Sequence, residues 1–144
     1  MGNLKIKVRP LVEGYAEGEA LVSKDPISFL GDVDPKTGVI VREGHSIYGE
    51  SVKGKVLIFP HGRGSTVGSY ILYQMYKYGV HPKAIINLES EEIIIVGCVL
   101  SNIPLVDRPE TNIFNIINSG DMVVVDAYNG YITVSYTHLT LPTN

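Results

Sequence analysis

Cysteine is almost missing from this chain: among 144 residues there is one, Cys98. A single thiol cannot close an intramolecular disulfide, and alone it cannot hold an iron–sulfur cluster, which takes several thiolates. The surrounding run Ile93-Ile94-Ile95-Val96-Gly97-Cys98-Val99-Leu100 is apolar and has no basic group to favour a thiolate, so a buried, inert thiol is expected. Long hydrophobic runs are missing too: residues 56–59 and 93–96 fall far short of a membrane span. Nor is there surplus positive charge. Lys and Arg number 12 against 15 Asp and Glu, a net charge of −3, which excludes a generalised electrostatic grip on nucleic acid. The opening Met-Gly-Asn-Leu-Lys-Ile-Lys lacks the apolar core of a secretory signal, and Ile6 stands where a myristoylation sequence needs Ser or Thr. Cytoplasm is the expected compartment, with no membrane and no nucleic acid among the partners.

What is present has the balance of a globular protein, 44% hydrophobic and 19% charged, and a length that suits one domain with a real core. Residues 5–9 alternate Lys-Ile-Lys-Val-Arg, the period of a half-buried strand. Further short strands are expected over 19–23 and 39–41, separated by a stretch dense in turn residues around Asp32, Asp34, Pro35 and Gly38. Residues 42–55 are polar and punctuated by glycine, and they carry His45. From there the chain changes character. Val56-Leu57-Ile58-Phe59 is a continuous apolar run, as a strand covered on both faces requires. Ser65 is expected to open a helix whose one face carries Val67, Ile71, Leu72, Met75 and Tyr78, with Gly79 as its C-cap. A strand over 84–88 completes a βαβ unit, for which right-handed crossover is the rule.

Residues 89–101 are ambiguous. The isoleucine run favours a strand, yet Glu91 and Glu92 suit the first turn of a helix. A strand over 105–107, a brief helix over 113–117 stopped by Gly120, and a strand over 122–125 follow. Strands first and then alternating β and α predict an α/β domain, a mixed sheet with flanking helices. Residues 135–144 form a C-terminal tail that reads in two ways. It is a terminal strand with a frayed end, or a non-native or disordered tail, because residues 135–143 resemble translated adapter sequence.

The segment Gly62-Arg63-Gly64-Ser65-Thr66-Val67-Gly68-Ser69 lies between a buried strand and a helix. Free N–H groups at a helix start, glycines that allow close approach and the permanent charge of Arg63 all suit an anion. A P-loop would need a lysine after its second glycine, and none is there. The dinucleotide fingerprint fails by one residue, since Gly64 and Gly68 are four apart, although Glu89 lies where a ribose-binding acid would. Ser65 then has two readings: an N-cap, worth about 1 kcal/mol, or a base whose alkoxide is held by Arg63 and the helix-start amides.

Several blocks, taken together and in order, resemble the swivel domain of aconitase X. They are Ala16-Glu17-Gly18-Glu19-Ala20-Leu21-Val22-Ser23, Ser28-Phe29-Leu30-Gly31-Asp32-Val33-Asp34-Pro35 with Thr37-Gly38, His45, Gly49, residues 55–69, Pro82-Lys83-Ala84-Ile85-Ile86-Asn87, and Ile103-Pro104-Leu105-Val106-Asp107. The resemblance implies a swivelling β/β/α domain over residues 1–134, with 89–101 helical. It implies the small subunit of a hydro-lyase that dehydrates (R)-5-phosphomevalonate to trans-anhydromevalonate 5-phosphate in the modified mevalonate pathway of archaeal isoprenoid synthesis. Ser65 would be the proton acceptor. Arg63, Gly64 and Thr66 would bind substrate or steady the alkoxide, while Asp32, Asp34 and His45 would belong to an interface or substrate loop. No cofactor or metal is expected on this chain; a 4Fe-4S cluster is expected on a large catalytic subunit, in a hetero-oligomer acting on a small anionic substrate. The same serine would serve a relative that dehydrates cis-3-hydroxy-L-proline. A non-catalytic anion-binding module is the reading from another class. Asp32 and Asp34 also suit solvated turn formers, and His45 a loop-stabilising residue.

Overall fold

The computed structural model describes residues 3–135. Eight strands form one mixed sheet in the order β1-β8-β7-β3-β4-β5-β6-β2. The strands are β1 (Asn3–Lys7), β2 (Arg9–Val12), β3 (Tyr15–Val22), β4 (Val56–Phe59), β5 (Ala84–Asn87), β6 (Leu105–Asp107), β7 (Met122–Asp126) and β8 (Tyr131–Ser135). The helices are α2 (Gly68–Tyr78) and α3 (Glu92–Ser101), with a four-residue distorted turn, α1 (Phe29–Asp32), ahead of them.

The strands at the two ends of this order, β1 and β2, are neighbours in the chain and separated by Val8 alone. The sheet therefore has to curl until its edges approach. The expected single strand over 5–9 is thus two strands: β1 pairs antiparallel with β8, and Arg9 already belongs to β2, antiparallel to β6. β3 joins the two halves. Its first part, residues 15–19, runs antiparallel to β7, and its last part, residues 20–22, runs parallel to β4.

Alternation along the central strands sorts side chains into two cores. Leu57, Phe59, Ile85 and Leu105 pack with Leu72, Met75, Ile94 and Cys98 of the helical layer. Val56, Ile58, Ala84, Ile86 and Val106 face the other way, onto Ile6, Val123, Val125, Ile132 and Val134. This is why residues 56–59 are apolar throughout: both faces are covered. The result is a β/β/α swivel architecture.

β4, α2 and β5 form the expected βαβ unit, with β4 and β5 parallel and Gly79 closing α2 in the left-handed conformation. Within segment 89–101 the helix runs from Glu92 to Ser101, and residues 89–91 lead into it in non-helical conformation. The Glu91 side chain accepts from the Ile94 N–H at 3.2 Å, and this cap offsets the β preference of the isoleucines. Three expectations are corrected. Residues 39–41 form only isolated bridges, Val33–Ile40 and Val39–Ser51, because no continuous partner strand lies alongside them. The brief helix is a single 3-10 turn, Ile113–Asn115. And α2 starts at Gly68, three residues after Ser65; Val67 and Tyr78 are exposed, and Ser69, Leu72 and Met75 make its buried face. Ser135 ends β8, and the rest of the tail, His138 included, lies outside the described residues. Among the described residues no helix is long and apolar enough to cross a membrane.

Candidate active site at the carboxyl edge of the parallel strands

Parallel strands β4, β5 and β6 all deliver their carboxyl ends to one edge, where open α/β sheets place their ligands. The 60–67 turn leaves β4 there. Gly62 and Gly64 shape it. A Cβ on Gly62 would lie 2.7 Å from both Glu91 Oε1 and Ile94 Cγ1, so only glycine allows the turn to press against the start of α3. Gly64 has φ +94°, and a Cβ there would also meet the Ser28 hydroxyl at 2.5 Å.

Ser65 is exposed, and its Oγ accepts from the Val67 N–H at 3.1 Å. α2 is regular from Gly68, and Val67 before it has no capping side chain; the Ser65 carbonyl accepts from the Gly68 N–H at 3.0 Å, so Ser65 heads the turn that leads into the helix. The backbone N–H groups of Gly64, Ser65 and Thr66 make no hydrogen bond within the chain among the described residues. Three successive free donors on an exposed turn are a natural seat for an anion. The Arg63 side chain is likewise exposed with no ion pair or side-chain hydrogen bond among the described residues. Thr66 contributes its carbonyl to the Ser69 hydroxyl at 3.1 Å, and with Val67, Tyr70, Ile93 and Val96 its side lines a groove between the starts of α2 and α3.

Beside the turn is a 280 Å³ cleft lined by Asp25, Pro26, Arg42, Glu43, Gly44, His45 and Arg63. His45 is buried there and both ring nitrogens are engaged: Nε2 meets the Pro26 carbonyl at 3.0 Å and Nδ1 accepts from the Ile47 N–H at 3.3 Å. Asp32 is fully buried, against the expectation of a solvated turn former. One of its oxygens accepts from the Ser28 N–H at 2.8 Å and the other from Arg42 Nε. Asp34 is half-buried and stays within its own loop, accepting from the Lys36 N–H at 2.9 Å. The structure thus gathers Arg63, Gly64, Ser65, Thr66 and His45 around one edge, and keeps Asp34 apart. Arg42 and the 27–28 segment were not legible as site neighbours, since only the fold brings them to the turn.

Next along the same edge, Arg9 forks onto Asp107 at 2.8 and 2.9 Å, and Arg108 forks onto Glu89 at 2.9 and 3.0 Å. Hydrogen bonds from Arg108 hold the Glu89 carboxyl below the usual carboxylate range. Glu89, placed by sequence where a ribose-binding acid would sit, is therefore committed to arginine. Cys98 is fully buried, and desolvation pushes its thiol far above the ordinary cysteine range. Among the described residues no group of three or more His, Cys, Asp or Glu is placed to hold a metal ion.

A family model described as the aconitase X swivel domain matches residues 5–134. The chain is 57% identical over 129 residues to the phosphomevalonate dehydratase small subunit of Methanosarcina acetivorans, covering 90% of each. It is 54% identical over 132 residues to the protein of that name from Methanococcoides burtonii, covering 92% of this chain and 96% of the relative. The crystal structure of Thermococcus kodakaraensis aconitase X, in its holo-form, superposes with a TM-score of 0.88 at 44% identity, over 92% of this chain and 99% of the other.

Proposed function

The chain belongs to the aconitase X swivel-domain family, and from that premise we propose that it is the small subunit of a hydro-lyase acting on (R)-5-phosphomevalonate. It works with a larger subunit, as the naming of its relatives implies. The substrate loses water to give trans-anhydromevalonate 5-phosphate. The carbon next to the carboxylate gives up a proton, the electron pair forms the new double bond, and the hydroxyl on the neighbouring carbon leaves with its bonding pair as hydroxide, proton and hydroxide together making the water lost.

Among the described residues none offers a seat for an iron–sulfur cluster: the one thiol is buried and strongly protonated. That group is assigned to the larger subunit, and the role of this chain is the proton. Ser65 Oγ takes it. An alkoxide is a strong base that water would quench, so it needs donors already in place and a covered site. Arg63 and the N–H groups of Gly64, Ser65 and Thr66 supply those donors, or they hold an anionic part of the substrate. His45 acts at one remove, through the loop that borders the cleft.

The observation that carries the assignment is that Ser65 stands exposed on the turn ahead of α2, beside the exposed Arg63 and the N–H groups of residues 64–66, unpaired among the described residues. Co-expression with the larger subunit, anaerobic reconstitution of the cluster and assay of wild type and Ser65→Ala tests it. Turnover of phosphomevalonate that Ser65→Ala lowers by about a hundredfold or more is the expected result. Full turnover by the variant sinks the base assignment, and turnover of cis-3-hydroxy-L-proline in its place moves the substrate.

A further inference from the structure

Residues 27–28 run alongside the turn. The Ile27 N–H donates to the His61 carbonyl at 3.3 Å, the Arg63 N–H donates to the Ile27 carbonyl at 3.1 Å, and Ile27 and Gly62 form a parallel bridge. Ser28 then fills the space beside Gly64. The turn therefore has a neighbour on each side, with α3 behind Gly62 and this strap against Arg63 and Gly64.

The strap is in turn held by Asp32. Its carboxylate lies with no solvent exposure, accepting from the Ser28 N–H at 2.8 Å, while its own N–H donates to the Ser28 carbonyl at 3.0 Å. The second oxygen takes Arg42, and the Asp32 carbonyl accepts from the Val41 N–H at 2.8 Å. Arg42 lies on the loop that shares the cleft with Arg63. A buried carboxylate is costly unless paired and fully hydrogen-bonded, and this one has both requirements met.

We propose that Asp32 is a positioning residue for the reaction: through Arg42 and the 27–28 strap it sets where Gly64 and Ser65 stand, without touching substrate. The proposal rests on Ser65 as the base. Its physical warrant is that a displacement of about 1 Å in a reacting group costs about a hundredfold in rate.

Two measurements on Asp32→Asn test it. In the assembled two-subunit enzyme, kcat should fall about tenfold or more, with KM changed little. The loss should vanish when the variant is made in a Ser65→Ala background, because both changes act on one step. Ile132→Val, in the far core, serves as a control that lowers stability and spares kcat. Arg42→Lys should keep much of the turnover that Arg42→Met loses. The second measurement needs no activity. Amide exchange on the full chain should speed up at Arg63, whose N–H binds the strap, and stay unchanged at Ile86 in β5. A loss of kcat that only tracks the folded fraction overturns the proposal, as does full additivity with Ser65→Ala or equal acceleration at Arg63 and Ile86. If Asp32→Asn does not fold, Arg42→Met carries both measurements. If Ser65→Ala keeps full turnover, the base reading fails, and the exchange result still decides whether Asp32 braces the turn.

Discussion

The Ser28 hydroxyl occupies the space into which any side chain at position 64 would have to grow: a Cβ built on Gly64 comes within 2.5 Å of it. Two residues 36 positions apart by number thus fix one another, and the catalytic candidate follows immediately after.

Gly64→Ala should lower stability by about 1–3 kcal/mol, since the backbone at φ +94° is strained for a residue with a Cβ and the hydroxyl must also move. Pairing it with Ser28→Gly should recover only the steric share. Thermal unfolding of the two variants measures that split, and full recovery in the pair would show that φ costs nothing here.

Ser65→Ala should behave in the opposite way. Its Oγ accepts one exposed N–H, so the stability change should stay within about 1 kcal/mol. Turnover of the assembled enzyme should drop by about a hundredfold to ten-thousandfold, the range for removal of a general base. A parallel loss of melting temperature and rate would point to a structural serine.

Acid should weaken the carboxyl edge through Glu89. Its carboxyl is held low by the Arg108 hydrogen bonds, so its stabilising contribution is complete above the ordinary glutamate pKa and disappears as pH falls through the depressed one. Glu89→Gln should therefore flatten the acid side of the stability profile and leave the neutral region nearly unchanged, as expected of an exposed pair. Chemical denaturation at a series of pH values reads this directly, and an unchanged acid slope contradicts it.

Cys98 should be silent toward thiol reagents in the native protein. Its burial and raised pKa leave neither access nor thiolate. Labelling should appear only as the protein unfolds, with the same denaturant dependence as loss of structure. Fast stoichiometric labelling under native conditions would mean that the α3 layer opens on its own.

Much of this protein was determined by local sequence. The apolar run 56–59, the helix that ends at Gly79 and the strand at 105–107 are each written within a few residues, because periodicity and capping act over one or two turns. The candidate turn was legible for the same reason: glycines, an arginine and a serine stand side by side. Tertiary structure decided what no local pattern can carry. It split residues 5–9 at Val8, since the two strands pair with partners at opposite ends of the sheet, and it denied 39–41 a strand for want of a partner. It buried Asp32 by bringing Arg42 to it, and it set the turn that carries Ser65 between α3 and the 27–28 strap. Hydrogen bonds to distant neighbours settle a residue's burial and aim, and those neighbours are known only once the chain has closed on itself.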